Sequence, residues 1–316
     1  MFALTQNELG SMAQRTGFAH NSLEKALRML DILATLRAHP AFHGALVLKG
    51  GTALNMFFLD MPRLSIDLDL NYIGALAAPD MKQDRQRIRQ ELQTTFNREY
   101  AVDLIKDVHA LSQFRLTYRT LAGSSDSLRL EINYLLRQPI LEPRLSKSRL
   151  DPRVEFLCLG AEEIVAGKII ALLARYTARD LFDVYKVAGA PMALDKSRLR
   201  SLVVFFGLVS RSSVFDLFKA DFSPITPRRI RNDLVPMLRR GEYPDREGLV
   251  SFVADFLRPL TSLGENETSA ISEFYAHGTL SLDALIPERD MRERMARSPA
   301  LAWKTRSIVS HMKARG

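Results

Sequence analysis

Leu48-Lys49-Gly50-Gly51-Thr52-Ala53-Leu54, followed thirteen residues after Leu54 by Asp67-Leu68-Asp69, constrains this chain more than any other stretch. The glycines form a small-residue turn between an apolar run (Ala45 to Leu48) and a helix-like run (Ala53 to Leu59). Gly50, Gly51 and Thr52 let main-chain N–H groups approach a phosphate with no Cβ in the way. A helix beginning at Thr52 would aim its positive end at that phosphate. The second element is a pair of carboxylates at period two. On a strand, residues i and i+2 point to one face. Asp67 and Asp69 then project side by side, with Ile66, Leu68 and Leu70 turned into the core. Two such carboxylates repel unless a cation sits between them. A hard divalent ion, Mg²⁺ or Mn²⁺, takes oxygen ligands from carboxylates and substrate phosphates together.

Each element alone has a plainer reading. A D-x-D pair on a surface strand is commonly solvated or salt-bridged, and Gly-Gly is commonly only a turn. Order and spacing raise the catalytic reading, together with Arg63-Leu64-Ser65 just before the acids. Ser65, two residues before Asp67, is expected on the same strand face, offering a hydroxyl to a phosphate or to a metal-bound water.

A chain of 316 residues exceeds one average domain and suggests two. No apolar run approaches the roughly 18 residues of a membrane span, and Met1 to Gly10 lacks the basic and apolar regions of a secretion signal. The expected location is the cytoplasm. The single cysteine, Cys158, has no partner for an internal disulfide, fits a reducing compartment, and reads as a core residue. The net charge of +8 suits an anionic partner such as RNA. It is spread over the chain, with local clusters at Arg85, Arg87 and Arg89, at Arg137 to Arg153, and at Arg228 to Arg240. Each cluster has the simpler reading of a solvated face.

Helices are expected at about 5–18 and 21–39, the second capped by Asn21 with Glu24 three residues on. Strand 45–48, the glycine turn, helix 52–59 and strand 66–72 follow, then a charged helix from Pro79 to about 98. Segments 100–108, 114–121 and 128–135 read as strands, with Gly123-Ser124-Ser125-Asp126 a hairpin signal. After a short extended piece at 154–159, helices are expected at 161–175, 178–190, 195–208, 213–219, 226–240, 246–264, 267–277, 287–297 and 299–313. The expected class is α+β. A mixed-sheet domain occupies 1–155 and an all-helical one 156–316.

A third acid lies in Leu128-Arg129-Leu130-Glu131-Ile132-Asn133-Tyr134, where Arg129, Glu131 and Asn133 point away from the apolar face. Glu131 could reach the Asp67/Asp69 site from a neighbouring strand, or pair with a cross-strand arginine. Three carboxylates could hold two metals roughly 3.5–4 Å apart. The helix from Ala161 carries Glu162, Glu163, Lys168 and Arg175, and the next opens Arg179-Asp180-Leu181-Phe182-Asp183. Lys168 and Arg175 share a helix face and could neutralise a triphosphate. Alone, these charges read equally as surface pairs such as Arg179 with Asp183.

Together these segments resemble the AbiEii/AbiGii-type nucleotidyltransferase toxins, including the mycobacterial MenT group, within the DNA polymerase β-like superfamily. The resemblance spans about residues 45–190. It implies a polymerase β-like domain with a helical partner domain that transfers NMP from an NTP and releases pyrophosphate. In the MenT group the acceptor is the 3′ end of tRNA, which blocks aminoacylation and stops translation. The resemblance also implies a winged-helix antitoxin as partner. By position, Ser65 and Asp67 fall on the family's serine and first acid, Asp69 on the second, and Lys168 on the helical lysine. Asp180 or Asp183 falls on the later acid; both fit. The expected phosphate-binding set is Lys49, Gly50, Gly51, Thr52, Ser65 and Arg175, and the expected metal ligands are Asp67, Asp69 and Glu131. Two alternatives stay open: the same chemistry on an aminoglycoside or a protein hydroxyl, and a non-catalytic binding module.

Overall fold

The structure, a computed structural model, describes residues 5–313. Residues 1–4, part of the stretch inspected for a secretion signal, lie outside them. Among the described residues no helix is long and apolar enough to cross a membrane. They form two compact units. One holds the chain up to Arg137, Pro143–Leu159 and Ile230–Pro244; the other holds Gln138–Glu142, Gly160–Arg229 and the chain from Asp245 on.

The first unit opens with α1 (Gln6–Thr16) and α2 (His20–Ala38). Thr5 and Glu8 cap α1 reciprocally. Asn21 does not cap α2, which starts at His20 without a side-chain cap. Glu24, the expected partner of that cap, is buried and accepts from Arg28 (2.8 Å) and from the Leu121 N–H (3.0 Å). A carboxylate committed to Arg28 one turn on and to the distant Leu121 N–H does not close the local box.

Then come β1 (Leu46–Leu48), α3 (Gly50–Ala53) running into a wider π turn (Leu54–Phe58), β2 (Asp67–Tyr72), α4 (Ala78–Phe96), β3 (Ala101–Val108), β4 (Leu111–Arg119), β5 (Ser125–Asn133), β6 (Arg144–Lys147) and β7 (Glu155–Cys158). The seven strands form one mixed sheet in the order β3-β4-β5-β2-β1-β7-β6. β2 runs parallel to β5 and β1 parallel to β7; the other neighbours are antiparallel. Strand alternation sorts the faces. Leu68, Leu70, Tyr72, Phe114, Leu116, Tyr118, Leu128, Leu130 and Ile132 are buried on one face. There Tyr72 donates to Asp84 of α4 and Arg28 of α2 stacks over Tyr118. The odd-numbered residues of β2, β4 and β5 face the other way. β6 was not expected: its four residues carry no apolar alternation, and an exposed charged edge strand leaves little trace in hydropathy.

The second unit is helical: α5 (Ala161–Arg175), α6 (Ala178–Gly189), α7 (Lys196–Leu208), α8 (Val214–Leu217), α9 (Pro227–Arg229), α10 (Arg246–Thr261), α11 (Glu265–His277), α12 (Arg289–Ala296) and α13 (Pro299–Lys313). The continuous helix expected over 226–240 is absent. After α9 the chain makes a π turn (Ile230–Leu234) and a 3-10 turn (Val235–Met237). Pro236 supplies no N–H there. From Ile230 to Pro244 the chain belongs to the first unit and bonds that unit's own loops, with Leu64 N–H to Met237 O and Arg240 N–H to Gly17 O, both 2.9 Å.

Candidate active site

The turn after β1 is stitched to β2. The Lys49 N–H donates to Asp69 O (2.9 Å), and the Thr52 hydroxyl donates to Asp67 O (2.5 Å). The helix begins at Gly50, not at Thr52, and Thr52 is fully buried with its hydroxyl committed to β2. The main-chain N–H groups at the start of α3 are the ones with no intrahelical partner. Gly50 has φ +71°, and a Cβ there would stand 2.6 Å from Asp69 Oδ2. Only glycine satisfies both demands. Gly50→Ala is expected to cost about 2 kcal/mol from the left-handed backbone alone, and to displace the Asp69 carboxylate. Urea unfolding checks the first effect, and the rate of nucleotide transfer the second.

The parallel register of β2 and β5 sets Asp67 opposite Arg129, Asp69 opposite Glu131 and Asn71 opposite Asn133. Asp69 and Glu131 are thus neighbours on one face. Burial, followed by the Asp69 charge, pushes the Glu131 carboxyl above its ordinary value, against the pull of Lys49 and Arg129. Asp67 forms an ion pair with Arg129 (3.0 Å). Among the described residues no three His, Cys, Asp or Glu side chains converge closely enough to hold a metal ion. The donor set nonetheless suits a hard divalent cation. It is all carboxylate, and the repulsion raising Glu131 is what a cation beside Asp69 would relieve.

Ser65 is buried but lies before the strand, which starts at Asp67. Strand alternation therefore does not carry it onto the carboxylate face as expected. Asn71 escaped the sequence reading. It is buried, and among the described residues its Oδ1 has no hydrogen-bond partner. The signal was available: Asp67, Asp69 and Asn71 continue one alternation.

Lys168, Arg175, Asp180 and Asp183 come together in the second unit. Lys168 Nζ lies 2.9 Å from both Asp180 Oδ1 and Asp183 Oδ2, and all three side chains are buried. Arg175 reaches Asp180 (2.9 Å), which also accepts from the Thr177 hydroxyl (2.7 Å). Both candidate acids flank the lysine, so Asp183 is not the surface partner of Arg179. Nearby in α5, buried Glu163 accepts from the N–H groups of Ile140 (3.1 Å) and Leu141 (3.0 Å). Burial pushes its carboxyl from an ordinary 4.5 up to about 7, against those two bonds. The native protein thus holds a proton that the unfolded chain has released. This stabilisation is complete below about 4.5 and lost as pH rises through about 7. Glu163→Gln keeps an acceptor but has no proton to lose. Its Tm is expected to exceed that of the wild type near pH 8 and to match it near pH 4, by thermal melts.

Other features carry less. Cys158 is fully buried, its thiol pushed up to about 12. Arg85 and Arg89 pair with Asp107, and buried Arg137 donates to the carbonyls of Leu76 and Tyr134. A cleft of about 700 Å³, lined by Arg15, Arg28, Asp31, Glu99 and Tyr100 among others, lies away from the acids. Tyr100 packs on Tyr118, on the opposite sheet face.

A family model described as nucleotidyl transferase AbiEii toxin, type IV toxin–antitoxin system, matches residues 31–257. Among solved structures the chain is similar to MenT4, a nucleotidyltransferase toxin of Mycobacterium tuberculosis H37Rv. The TM-score is 0.64 at 18% identity, covering 96% of this chain and 99% of that one. It is also similar to a Helicobacter pylori protein described as a candidate nucleotidyltransferase. There the TM-score is 0.50 at 19% identity, covering 77% and 96% of the two chains. No curated protein sequence matches the chain. The structural likenesses establish the fold.

Proposed function

The chain belongs to the AbiEii family of nucleotidyl transferase toxins of type IV toxin–antitoxin systems, and from that premise we propose that it transfers NMP from an NTP to the 3′ hydroxyl of RNA, tRNA above all, so stopping translation. The observation that carries the reading is the Asp69–Glu131 pair standing in register beside the Gly50 turn.

Asp67, Asp69 and Glu131 would hold Mg²⁺ or Mn²⁺. When bound, such an ion offsets triphosphate charge and makes the acceptor hydroxyl more acidic. The N–H groups of Gly50 and Gly51 donate to phosphate oxygens, with Lys49 at the same turn and the hydroxyl of Ser65, just before β2, as a further donor. Glu131, its carboxyl already raised by burial and by Asp69, takes the acceptor proton. The acceptor oxygen forms a bond to the α-phosphorus while the bond to the bridging oxygen breaks, and pyrophosphate leaves. Most of the acceleration is positioning and fixed electrostatics. The family places an antitoxin beside the toxin as partner; we take it to be a winged-helix protein.

The test is inducible expression of the wild type beside Asp67→Ala, with sequencing of tRNA 3′ ends, and incubation of the protein with labelled NTPs, Mg²⁺ and bulk tRNA. Growth arrest with extended 3′ ends in the wild type alone is expected. Equal labelling by both proteins, or labelling of no RNA by either, overturns the reading.

A further inference from the structure

We propose that one strip of the open sheet face, Arg129 and Ser127 on β5 with Arg115, Thr117 and Arg119 on β4, is a track for the phosphodiester backbone of the acceptor RNA. The proposal rests on the RNA-acceptor reading above and assigns it a surface.

The strip follows from register. β4 and β5 pair Gln113 with Glu131, Arg115 with Arg129, Thr117 with Ser127, and Arg119 with Ser125. Residues paired in this way, and those two apart on a strand, share a face. The strip therefore starts one step from Glu131, on the same face as Asp69. Each two-residue step advances about 6.8 Å, so it runs about 14 Å from Arg115 to Arg119. Along it neither strand presents an acid; arginines stand at both ends with hydroxyls between.

Two features make the placement costly without an anion. Arg115 and Arg129 are directly opposite, and like charges across a ladder repel. Arg129 is offset by Asp67. Arg115 is exposed and, among the described residues, makes no ion pair, even though Asp103 stands across from it on β3. Arg119 is likewise exposed and, among the described residues, makes no ion pair.

Sheet order decides which phosphate the strip takes. The glycine turn follows β1, on one side of β2; the strip lies on β5 and β4, on the other side. The triphosphate and the strip thus flank the carboxylates. A strip of this length exceeds one phosphate and suits a polymer. Lying on the Glu131 side, it delivers the polymer's terminal hydroxyl to the group that takes its proton.

The experiment uses the full chain without NTP and a 5′-fluorescein tRNA transcript, read by anisotropy between 50 and 200 mM salt. Arg115→Glu and Arg119→Glu are chosen because neither side chain is ion-paired, whereas a change at Arg129 would also free Asp67. Each reversal is expected to weaken binding about tenfold at 50 mM salt. The double variant should flatten the slope of log K against log salt by about 1.4, two single-strand phosphate contacts. Arg115→Lys should restore most of the affinity, and KM for the NTP should not move. Wild-type affinity in the double variant overturns the track, as does a raised KM for the NTP with RNA binding intact. A wild type that binds no RNA even at 50 mM salt overturns the RNA-acceptor reading, and the track with it.

Discussion

Asp69→Asn is expected to lower the rate of NMP transfer by about 10³-fold, the scale of removing one preorganised electrostatic group, while leaving the protein folded. Asparagine keeps the size of the side chain, so the packing against Gly50 survives; only the charge goes. Stability should change little, because the lost carboxylate was a repulsive neighbour of Glu131. The same change has a second readout. With the Asp69 charge gone, the Glu131 carboxyl should titrate at lower pH, though burial, the larger cause, still holds it above ordinary values. Carbon-detected NMR of the Glu131 carboxyl follows that shift, and single-turnover labelling follows the rate. Transfer by Asp69→Asn at more than a tenth of the wild-type rate would remove the in-register pair from the chemistry.

The largest loss of stability is expected from Lys168→Met. It leaves Asp180 and Asp183, both buried, with no ammonium between them. Breaking a buried pair on one side costs about 3–5 kcal/mol. Arg175 compensates weakly, since its side chain is 60% exposed. The effect should depend on pH. Burial pushes the Asp180 carboxyl up, but Lys168 and Arg175 outweigh it and hold the carboxyl below its ordinary 3.8. The wild type therefore has this stabilisation in full above about pH 4 and loses it as pH falls through the lowered value. The gap between variant and wild type should narrow in acid, where the stranded carboxyls take up protons. Urea unfolding at pH 7 and near pH 4 measures both gaps. Lys168→Met with Asp180→Asn and Asp183→Asn should recover most of the loss. A single variant as stable as the wild type would show that the lysine is not the brace of these helices. Transfer activity of whatever folded variant remains separates bracing from chemistry.

Much of the fold was legible because the relevant signals are local. Leucines alternating with Asp67 and Asp69 mark a strand, and Gly50 marks its break from the strand before. The apolar stripe from Ile164 to Leu173 sets α5 to the residue. What failed to show was long-range. Glu24 looked like a cap because the sequence does not reveal Leu121 beside it. Residues 226–240 have helical spacing, yet Pro236 and hydrogen bonds to the distant backbone of Gly17 and Leu64 unwind them. The Gly123 cluster signals the hairpin, but Ser125 and Asp126 already belong to β5. In the site, the facing of Asp67, Asp69 and Glu131 was legible from alternation. That β5 is the strand beside β2 was not, since parallel neighbours have no short loop to announce them. Ser65 could not be placed by alternation, because the strand starts two residues later, at Asp67. The Lys168 cluster was visible as charges in order, but its closure around one ammonium depends on how α5 meets α6.

The parallel pairing of β2 with β5 also governs when the protein can act. Asp69 emerges from the ribosome early, but its partner strand comes only after α4 and a complete β3–β4 pair have been made. β1, which leads into the phosphate turn, waits longer still for β7 at its other edge. Nascent fragments therefore lack the neighbouring strand that completes the acid pair. Whatever chemistry depends on that pair can begin only after β5 has been made, and the strand leading into the phosphate turn gains its second neighbour only with β7.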